Sequence, residues 1–371
     1  MILHSQAPTR VDLAGGTLDI WPLYLFHENS QTINVAIQCY ARCRLTPRRD
    51  GAIHLISRDL GREERFPSLG ALVKARKFRL PLLARLVTAF MTSGSLAPPA
   101  VSRAEKQVLR SAQDDRDRGG VEEGKQGFTL ETDSDSPAGA GLGGSSSLNI
   151  AICGALAQFT GRRLSREKLI EIAGDVEAQV LGVPTGEQDY YAAARGGIQA
   201  IRLTPGGNVS ERLAVNQAEM AARGVLCYTG ESRNSGINNW EVMKAHIDGN
   251  RAVVRHFDRI AAIAVDMRSA LELNDWEETA RLLNQEWEAR KQNHPRITTP
   301  GIERLIRAAR RNGARAAKVC GAGGGGCVFF LCEPGTKRNV ETALRRAGAR
   351  VIPFAVAERG LTVRTSPTTN H

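Results

Sequence analysis

The spacing of apolar positions changes along the chain, and each change marks an element. Residues Gln31 to Arg44 alternate, with Ile33, Val35 and Ile37 on one face, and Gly51 to Ile56 follow in the same manner. A period of two predicts strands, here an antiparallel group early in the chain. Leu83, Leu86, Val87 and Phe90 recur at helical spacing and predict an amphipathic helix. Phe128 to Thr132 reads as a strand, and Leu148, Ile152 and Leu156 predict a helix from Ser145 to about Phe159. A second helix carries Leu169, Ile172, Ala173, Val176 and Val180, and ends near Gly182-Val183-Pro184. A strand from Ile198 to Leu203 runs into Thr204-Pro205-Gly206-Gly207-Asn208, the stretch whose composition best suits a domain boundary.

The second half opens on a strand, Val225 to Thr229. Long helical patterns follow over about Asn250–Asn274, Asp275–Lys291 and Pro300–Asn312. Ala317 to Cys320, a glycine run and the strand Cys327 to Cys332 come next, then a helix and a last strand around Val351–Val356. Strands and helices mix without regular alternation, which predicts an α+β fold. With 371 residues there is room for two cores, expected over 1–205 and 206–371. The segment from Ala97 to Gly127 interrupts the first. It holds Pro98-Pro99, Gly119-Gly120, many charges and no aromatic residue, so it is expected to be a disordered insertion.

Composition narrows the class. Hydrophobic residues at 42% and charged residues at 24% are those of a soluble globular protein. No apolar run approaches a membrane span, and Met1 to Gln6 lacks the features of a signal peptide, so a cytoplasmic location is expected. The seven cysteines form no Cys-x-x-Cys pair and are expected as buried thiols. Fifty Lys and Arg against 39 Asp and Glu give a net charge of +11, which suits anionic ligands such as ATP or a sugar phosphate. The charge also suits nucleic acid, but no basic stripe interleaved with aromatics appears, so no nucleic-acid partner is expected.

The densest chemistry lies in Asp135-Ser136-Pro137-Ala138-Gly139-Ala140-Gly141-Leu142-Gly143-Gly144-Ser145-Ser146-Ser147. A glycine-rich turn empties into three hydroxyls at the start of a helix. The first N–H groups of a helix have no partner within it and lie at its positive end. Glycines let a phosphate approach them, and the serines can hold a phosphate oxygen or a magnesium ion. Gly139, Gly141 and Gly144 also satisfy the dinucleotide fingerprint by spacing, as do Gly321, Gly323 and Gly326, but neither triplet lies in a first strand–helix unit. No P-loop motif is present. The plain alternative is a glycine turn with a serine N-cap.

Three stretches stand in order: Ala7-Pro8-Thr9-Arg10-Val11-Asp12-Leu13-Ala14-Gly15-Gly16-Thr17-Leu18-Asp19, then Pro137 to Ser147, then Lys318-Val319-Cys320 with Gly321 to Gly326. Together they resemble the three motifs of the GHMP kinase superfamily over nearly the whole chain. Within it the chain is most similar to kinases of D-glycero-D-manno-heptose 7-phosphate and to fucokinases, through Ala-Gly-Gly-x-x-Asp, Ser232-Arg233-x-Ser235 and Glu286-Trp287-Glu288-x-x-Lys291. Galactokinases have Glu-His where Gly16-Thr17 stand here.

The resemblance implies a two-domain fold, with an N-terminal domain like the second domain of ribosomal protein S5 and a ferredoxin-like C-terminal domain. It implies ATP and Mg2+, and a sugar or sugar phosphate as acceptor, in a monomer or homodimer. Asp189 matches the family's catalytic aspartate, and Arg10 the cation of the first motif, the alternative being a surface arginine at a strand end. Pro137, Gly139, Gly141, Leu142, Gly143, Gly144, Ser145, Ser146 and Ser147 correspond to the ATP loop. Ser145 and Glu177 match the magnesium ligands, with Ser146 and Ser147 as substitutes because Gly144 stands where serine is common. Asp19, Gly16, Thr17, Arg233, Gly323 and Gly324 are the expected substrate residues, and Arg233 and Lys291 are candidates for a distal phosphate. The expected reaction is phosphoryl transfer to the anomeric hydroxyl of a heptose 7-phosphate. The alternatives are a kinase of free fucose or galactose, a mevalonate-type decarboxylase, and a non-catalytic nucleic-acid- or ligand-binding protein on the same fold.

Overall fold

The structure, a computed structural model, describes residues 1–92, 127–231 and 235–367. The expected excursion from Ala97 falls outside these residues except for Gly127, which already belongs to a strand, and Arg233 also lies outside them.

The chain begins with strands β1 (Ile2–Ala14), β2 (Gln31–Arg48), β3 (Ile53–Ser57) and β4 (Arg62–Phe66), then helices α1 (Leu69–Lys74) and α2 (Pro81–Met91). Strand β5 (Gly127–Ser134) leads through the glycine-rich turn into α3 (Gly144–Phe159), followed by α4 (Arg166–Leu181) and α5 (Gln188–Arg195). Strands β6 (Ile198–Arg202) and β7 (Val209–Arg212), helix α6 (Gln217–Arg223) and strand β8 (Gly224–Tyr228) come next. Four helices then run in sequence: α7 (Ser235–Ile247), α8 (Arg251–Glu272), α9 (Trp276–Lys291) and α10 (Pro300–Arg310). The chain closes with β9 (Ala314–Val319), β10 (Cys327–Cys332), α11 (Lys337–Arg346), β11 (Arg350–Ile352) and β12 (Thr362–Ser366).

Strand β2 organises the larger sheet. Its residues from Ile33 to Leu45 pair antiparallel with β1, while its other edge pairs with β6 at the start and β5 at the end. The order β12-β1-β2-β5-β3-β4 results, with β6 and β7 beside the first half of β2. Two strands from beyond residue 205, β7 and β12, therefore complete this sheet. The smaller sheet has the order β11-β8-β10-β9. The last strand differs from expectation: β11 ends at Ile352, and the polar segment Thr362–Ser366 returns to pair with β1.

Helix α3 is central because its residues are small or apolar all round. Every residue from Ser146 to Ala157 is buried, against the larger sheet and α2, α4 and α5. Leu86, Val87 and Phe90 of α2 and Ile172, Ala173 and Val176 of α4 close this core. A second core lies where Val11, Leu13, Val35 and Ile37 of the larger sheet meet Leu282 and Leu283 of α9 and Phe329 of β10. Thus β1 contributes Leu3 and Ala7 to the first core and Val11 and Leu13, beyond the irregularity at Pro8/Thr9, to the second. All seven cysteines are buried and free of disulfides, as expected. Among the described residues no helix is long and apolar enough to cross a membrane.

Candidate active site

The three sequence stretches meet by direct hydrogen bonds. Arg10 donates its backbone N–H to Leu142 O (2.9 Å) and its Nη1 to Gly141 O (2.6 Å), which ties the first to the second. Cys327 N donates to Ala140 O (2.7 Å), and Gly321 N to Asp12 Oδ1 (2.9 Å), which ties the third to both. Between them opens a cleft of about 580 Å³.

Gly143 is the N-cap of α3. It has φ +70°, and among the described residues no side chain caps the helix. The first-turn N–H groups therefore face the cleft without a side-chain acceptor. Pro137, Gly139, Gly141, Gly143, Gly144, Ser145 and Ser146 all line the cleft. Leu142 instead packs into the core, and its contribution is the carbonyl that receives Arg10. Ser147 is 1% exposed and donates to Pro8 O (2.8 Å), so its hydroxyl braces α3 against β1 rather than entering the cleft.

Asp189 sits in the first turn of α5, a short helix absent from the sequence-based expectation, where the helix dipole favours a carboxylate. Arg10 Nε and Nη2 reach Asp189 Oδ1 at 2.7 and 2.5 Å. Arg10 is not a surface arginine at a strand end. It lies inside β1 and is 4% exposed. Burial opposes its charge, but Asp189 and Asp12 outweigh that cost and hold its pKa above the ordinary value. Asp189 packs so closely on the loop that a Cβ at residue 143 would lie 2.9 Å from its Cγ. We expect Gly143→Ala to cut turnover by about 100-fold by displacing Asp189, and to cost about 1–2 kcal/mol through the left-handed φ. Steady-state kinetics and thermal melts of the purified variant check both.

Glu177 reaches the cleft from α4. Its Oε2 accepts from Tyr190 OH (2.6 Å), Ser146 Oγ (2.9 Å) and Asn149 Nδ2 (3.0 Å). Burial raises its pKa, and hydrogen bonds from Ser145, Tyr190 and Ser146 only partly offset this. Among the described residues no cation pairs with it. A buried carboxyl surrounded by neutral donors, beside the Ser145 hydroxyl, fits a divalent cation.

The other end of the cleft holds Thr17, Asp19, Gln188, Arg290, Gly321 and Ala322. Gln188 donates its backbone N–H (3.0 Å) and its Nε2 (3.3 Å) to Asp19. Burial nevertheless pushes the Asp19 carboxyl up to about 6, against the Gln188 backbone bond and Arg10. Gly16 lies just behind, beside Arg290. Gly323 and Gly324 face away: the former packs on Ile297 and the latter donates its N–H to Ile297 O (2.7 Å). Gly321 and Ala322 occupy the cleft wall in their place. Lys291 also lies elsewhere, paired with Glu288 (2.8 Å) and stacked over Trp287.

Sequence reasoning gave no role to four charged residues at the base of the cleft, of which Asp12 and Arg290 line it. Lys318 Nζ donates to Asp12 Oδ2 and lies 3.7 Å from Glu286 Oε2, while Glu286 Oε1 accepts from Arg290 Nε (2.9 Å) and Nη2 (2.6 Å). Burial disfavours the Asp12 anion, yet Lys318, Arg10 and Arg290 hold its pKa well below the carboxylate range. The available signals were a lysine within the apolar Ala316–Val319 stretch and a Glu–Arg pair at i,i+4 flanking Trp287.

The GHMP kinases N terminal domain matches residues 104–197, and the GHMP kinases C terminal domain matches residues 267–350. The D-glycero-alpha-D-manno-heptose 7-phosphate kinase of Campylobacter jejuni is 28% identical, over 97% of this chain and 98% of its own. The L-fucokinase/L-fucose-1-P guanylyltransferase of Bacteroides fragilis is 25% identical over 98% of this chain, which spans 39% of that longer protein. The crystal structure of a D-glycero-D-manno-heptose 1-phosphate kinase from Bacteroides thetaiotaomicron superposes with a TM-score of 0.72, covering 99% of this chain and 100% of its own, at 23% identity. That structure shares the fold.

Proposed function

The chain belongs to the GHMP kinases, and on that premise we propose that it transfers the γ-phosphoryl group of ATP to the anomeric hydroxyl of a heptose 7-phosphate. The observation that carries the reaction type is the Arg10–Asp189 pair, held against the N-terminus of α3 within one cleft that also contains Ser145, Glu177 and Asp19. The acceptor is chosen on the near full-length similarity to the Campylobacter heptose 7-phosphate kinase.

The nucleotide base occupies the apolar end of the cleft, between Leu60, Leu80, Leu82 and Leu83. Its phosphates run to the uncapped first turn of α3, where N–H groups and the dipole compensate their charge. Ser145, Ser146 and Glu177 would hold magnesium, and the ion would supply positive charge against the phosphates. Asp189 accepts a hydrogen bond from the attacking hydroxyl and aims it. Its pairing with Arg10 fixes its orientation, and because the transition state is loose, positioning dominates. Arg10 neutralises charge on the transferring group.

Asp19 receives hydroxyls of the acceptor, which requires its anion. We expect kcat/KM for the acceptor to fall as pH drops through about 6 and to plateau above it, with the limb removed in Asp19→Asn. The stability effect has the opposite sign. Between the ordinary carboxylate pKa and 6 the native state binds more protons than the unfolded one, so this group's contribution is lost as pH rises through that window. A pH–rate profile whose acid limb persists in Asp19→Asn removes Asp19 from this role.

The function is tested by ADP release with MgATP and a panel of heptose 7-phosphate, heptose 1-phosphate, L-fucose, D-galactose and mevalonate. Phosphorus NMR then locates the new ester. A signal at the anomeric carbon of heptose 7-phosphate is expected. Preferred turnover of a free sugar moves the assignment to that sugar, and salt-dependent RNA binding without ADP release overturns the enzyme reading.

A further inference from the structure

The turn that follows β1 is bent in a way its residues do not favour. Thr17 has φ +74°. It is the β-branched member of the three non-glycine residues with positive φ among those described, the others being Asn29 and Asn274. A β-branched side chain is a poor occupant of the left-handed region and stays there only where its surroundings over-determine it. What holds Thr17 is Arg290, at the C-terminal end of α9. Arg290 Nη1 donates to Thr17 Oγ1 (3.1 Å) and Nη2 donates to Gly16 O (2.8 Å).

Arg290 is itself immobilised. It is 3% exposed, Glu286 takes two of its N–H bonds from one turn earlier, and Asp12 lies 3.9 Å from Nη2. The guanidinium also fills the space in front of Gly16. A Cβ there would stand 2.8 Å from Nη2 and 2.7 Å from Asp12 Oδ2. The turn therefore has a single conformation with Arg290 in place, and that conformation carries Asp19 to the cleft two residues later. The side chain of Glu286 is fully buried and its Oε2 accepts no hydrogen bond among the described residues, while its charge faces Arg290 and Lys318.

We propose that Arg290 is a positioning residue for the acceptor: clamped by Glu286, it holds the Gly15–Asp19 turn in the strained form that presents Asp19 to the sugar. The proposal rests on the acceptor binding at the Asp19 end of the cleft, and it leaves the nucleotide end untouched. A fork of two N–H groups on one turn cannot be reproduced by a single ammonium, so Arg290→Lys does not substitute for it.

The test compares wild type, Arg290→Gln, Arg290→Lys and Thr17→Val with ATP and heptose 7-phosphate. Acceptor kcat/KM is expected to fall by about 10- to 100-fold in all three variants, chiefly through KM, with KM for ATP unchanged. Thr17→Val in the Arg290→Gln background adds little further loss, because Arg290→Gln already removes the contact that Thr17→Val removes. Should the Arg290 variants fail to fold, Thr17→Val alone decides, since it keeps the shape of the side chain. Parallel rises in both KM values, or unaltered acceptor KM, overturn the proposal.

Hydrogen exchange separates this outcome from a failure of the assigned reaction. The Leu18 and Ile20 amides, bonded to Gly15 O and Thr17 O, exchange faster in Thr17→Val whatever the acceptor, while Ser147 at the start of α3 stays protected. Unchanged exchange at Leu18 and Ile20 overturns the proposal even if every sugar is inactive. Faster exchange with an inactive wild type overturns the acceptor assignment and keeps the clamp.

Discussion

Asp189→Asn is expected to lower kcat by about 10²- to 10⁴-fold while binding of a non-hydrolysable ATP analogue stays close to that of the wild type. The asymmetry follows from geometry. Asp189 faces the cleft between the glycine loop and Asp19, with Arg10 Nη2 2.5 Å from its Oδ1. The groups proposed to hold the nucleotide are the backbone N–H donors of α3, the Ser145 and Ser146 hydroxyls and, through the metal, the Glu177 carboxylate, none of which changes. An asparagine keeps an oxygen that accepts from Arg10, so Arg10 stays aligned and the fold is preserved. It loses the charge that orients the acceptor hydroxyl and takes up its proton. Single-turnover ADP formation and calorimetric titration of the analogue measure the two arms. Turnover near the wild-type rate takes Asp189 out of the mechanism, and a matching loss of analogue affinity assigns it to nucleotide binding instead.

That site was readable in part because its residues signal through the backbone. Four glycines and three serines next to a helical pattern have few other uses, and the turn before α3 lines the cleft as their order suggests. Ser147 shows the limit of such reading. One step further round the helix its hydroxyl points at Pro8 O, and only the rotation of α3 on β1 decides that. Gly323 and Gly324 were expected at the substrate because they belong to the same run as Gly321, but the turn carries them onto Ile297. Helix α5 escaped because its eight residues begin directly after a glycine turn and offer barely two turns of pattern. Strand β12 escaped because Thr362-Val363-Arg364-Thr365-Ser366 is polar on both faces, and its pairing with β1 comes from the distant chain terminus. The charged residues at the base of the cleft were the least legible. Lysine and glutamate ordinarily mark solvent, and Lys318 finds Asp12 across 306 positions of sequence.

Those residues set the largest stability effect we expect. Lys318→Met should destabilise the fold by about 3–5 kcal/mol, seen as a fall in Tm on the order of 10 °C. Lys318 is 1% exposed, and its ammonium separates two carboxylates, Asp12 and Glu286, whose side chains have no solvent contact. Methionine fills the volume but leaves both acids facing an apolar stem. Arg290 still serves Glu286, so the uncompensated charge falls mainly on Asp12, with Arg10 3.8 Å away and already committed to Asp189. The damage would spread to the site, because Asp12 Oδ1 holds the N–H of Gly321 at the cleft wall. Pairing the change with Asp12→Asn tests the cause. The amide oxygen can keep the Gly321 bond, and no buried anion is left without a partner, so the double variant should recover much of the lost stability. If the double variant melts as low as Lys318→Met, the loss comes from packing rather than charge, and the two sheets are joined there by shape instead of by an ion pair.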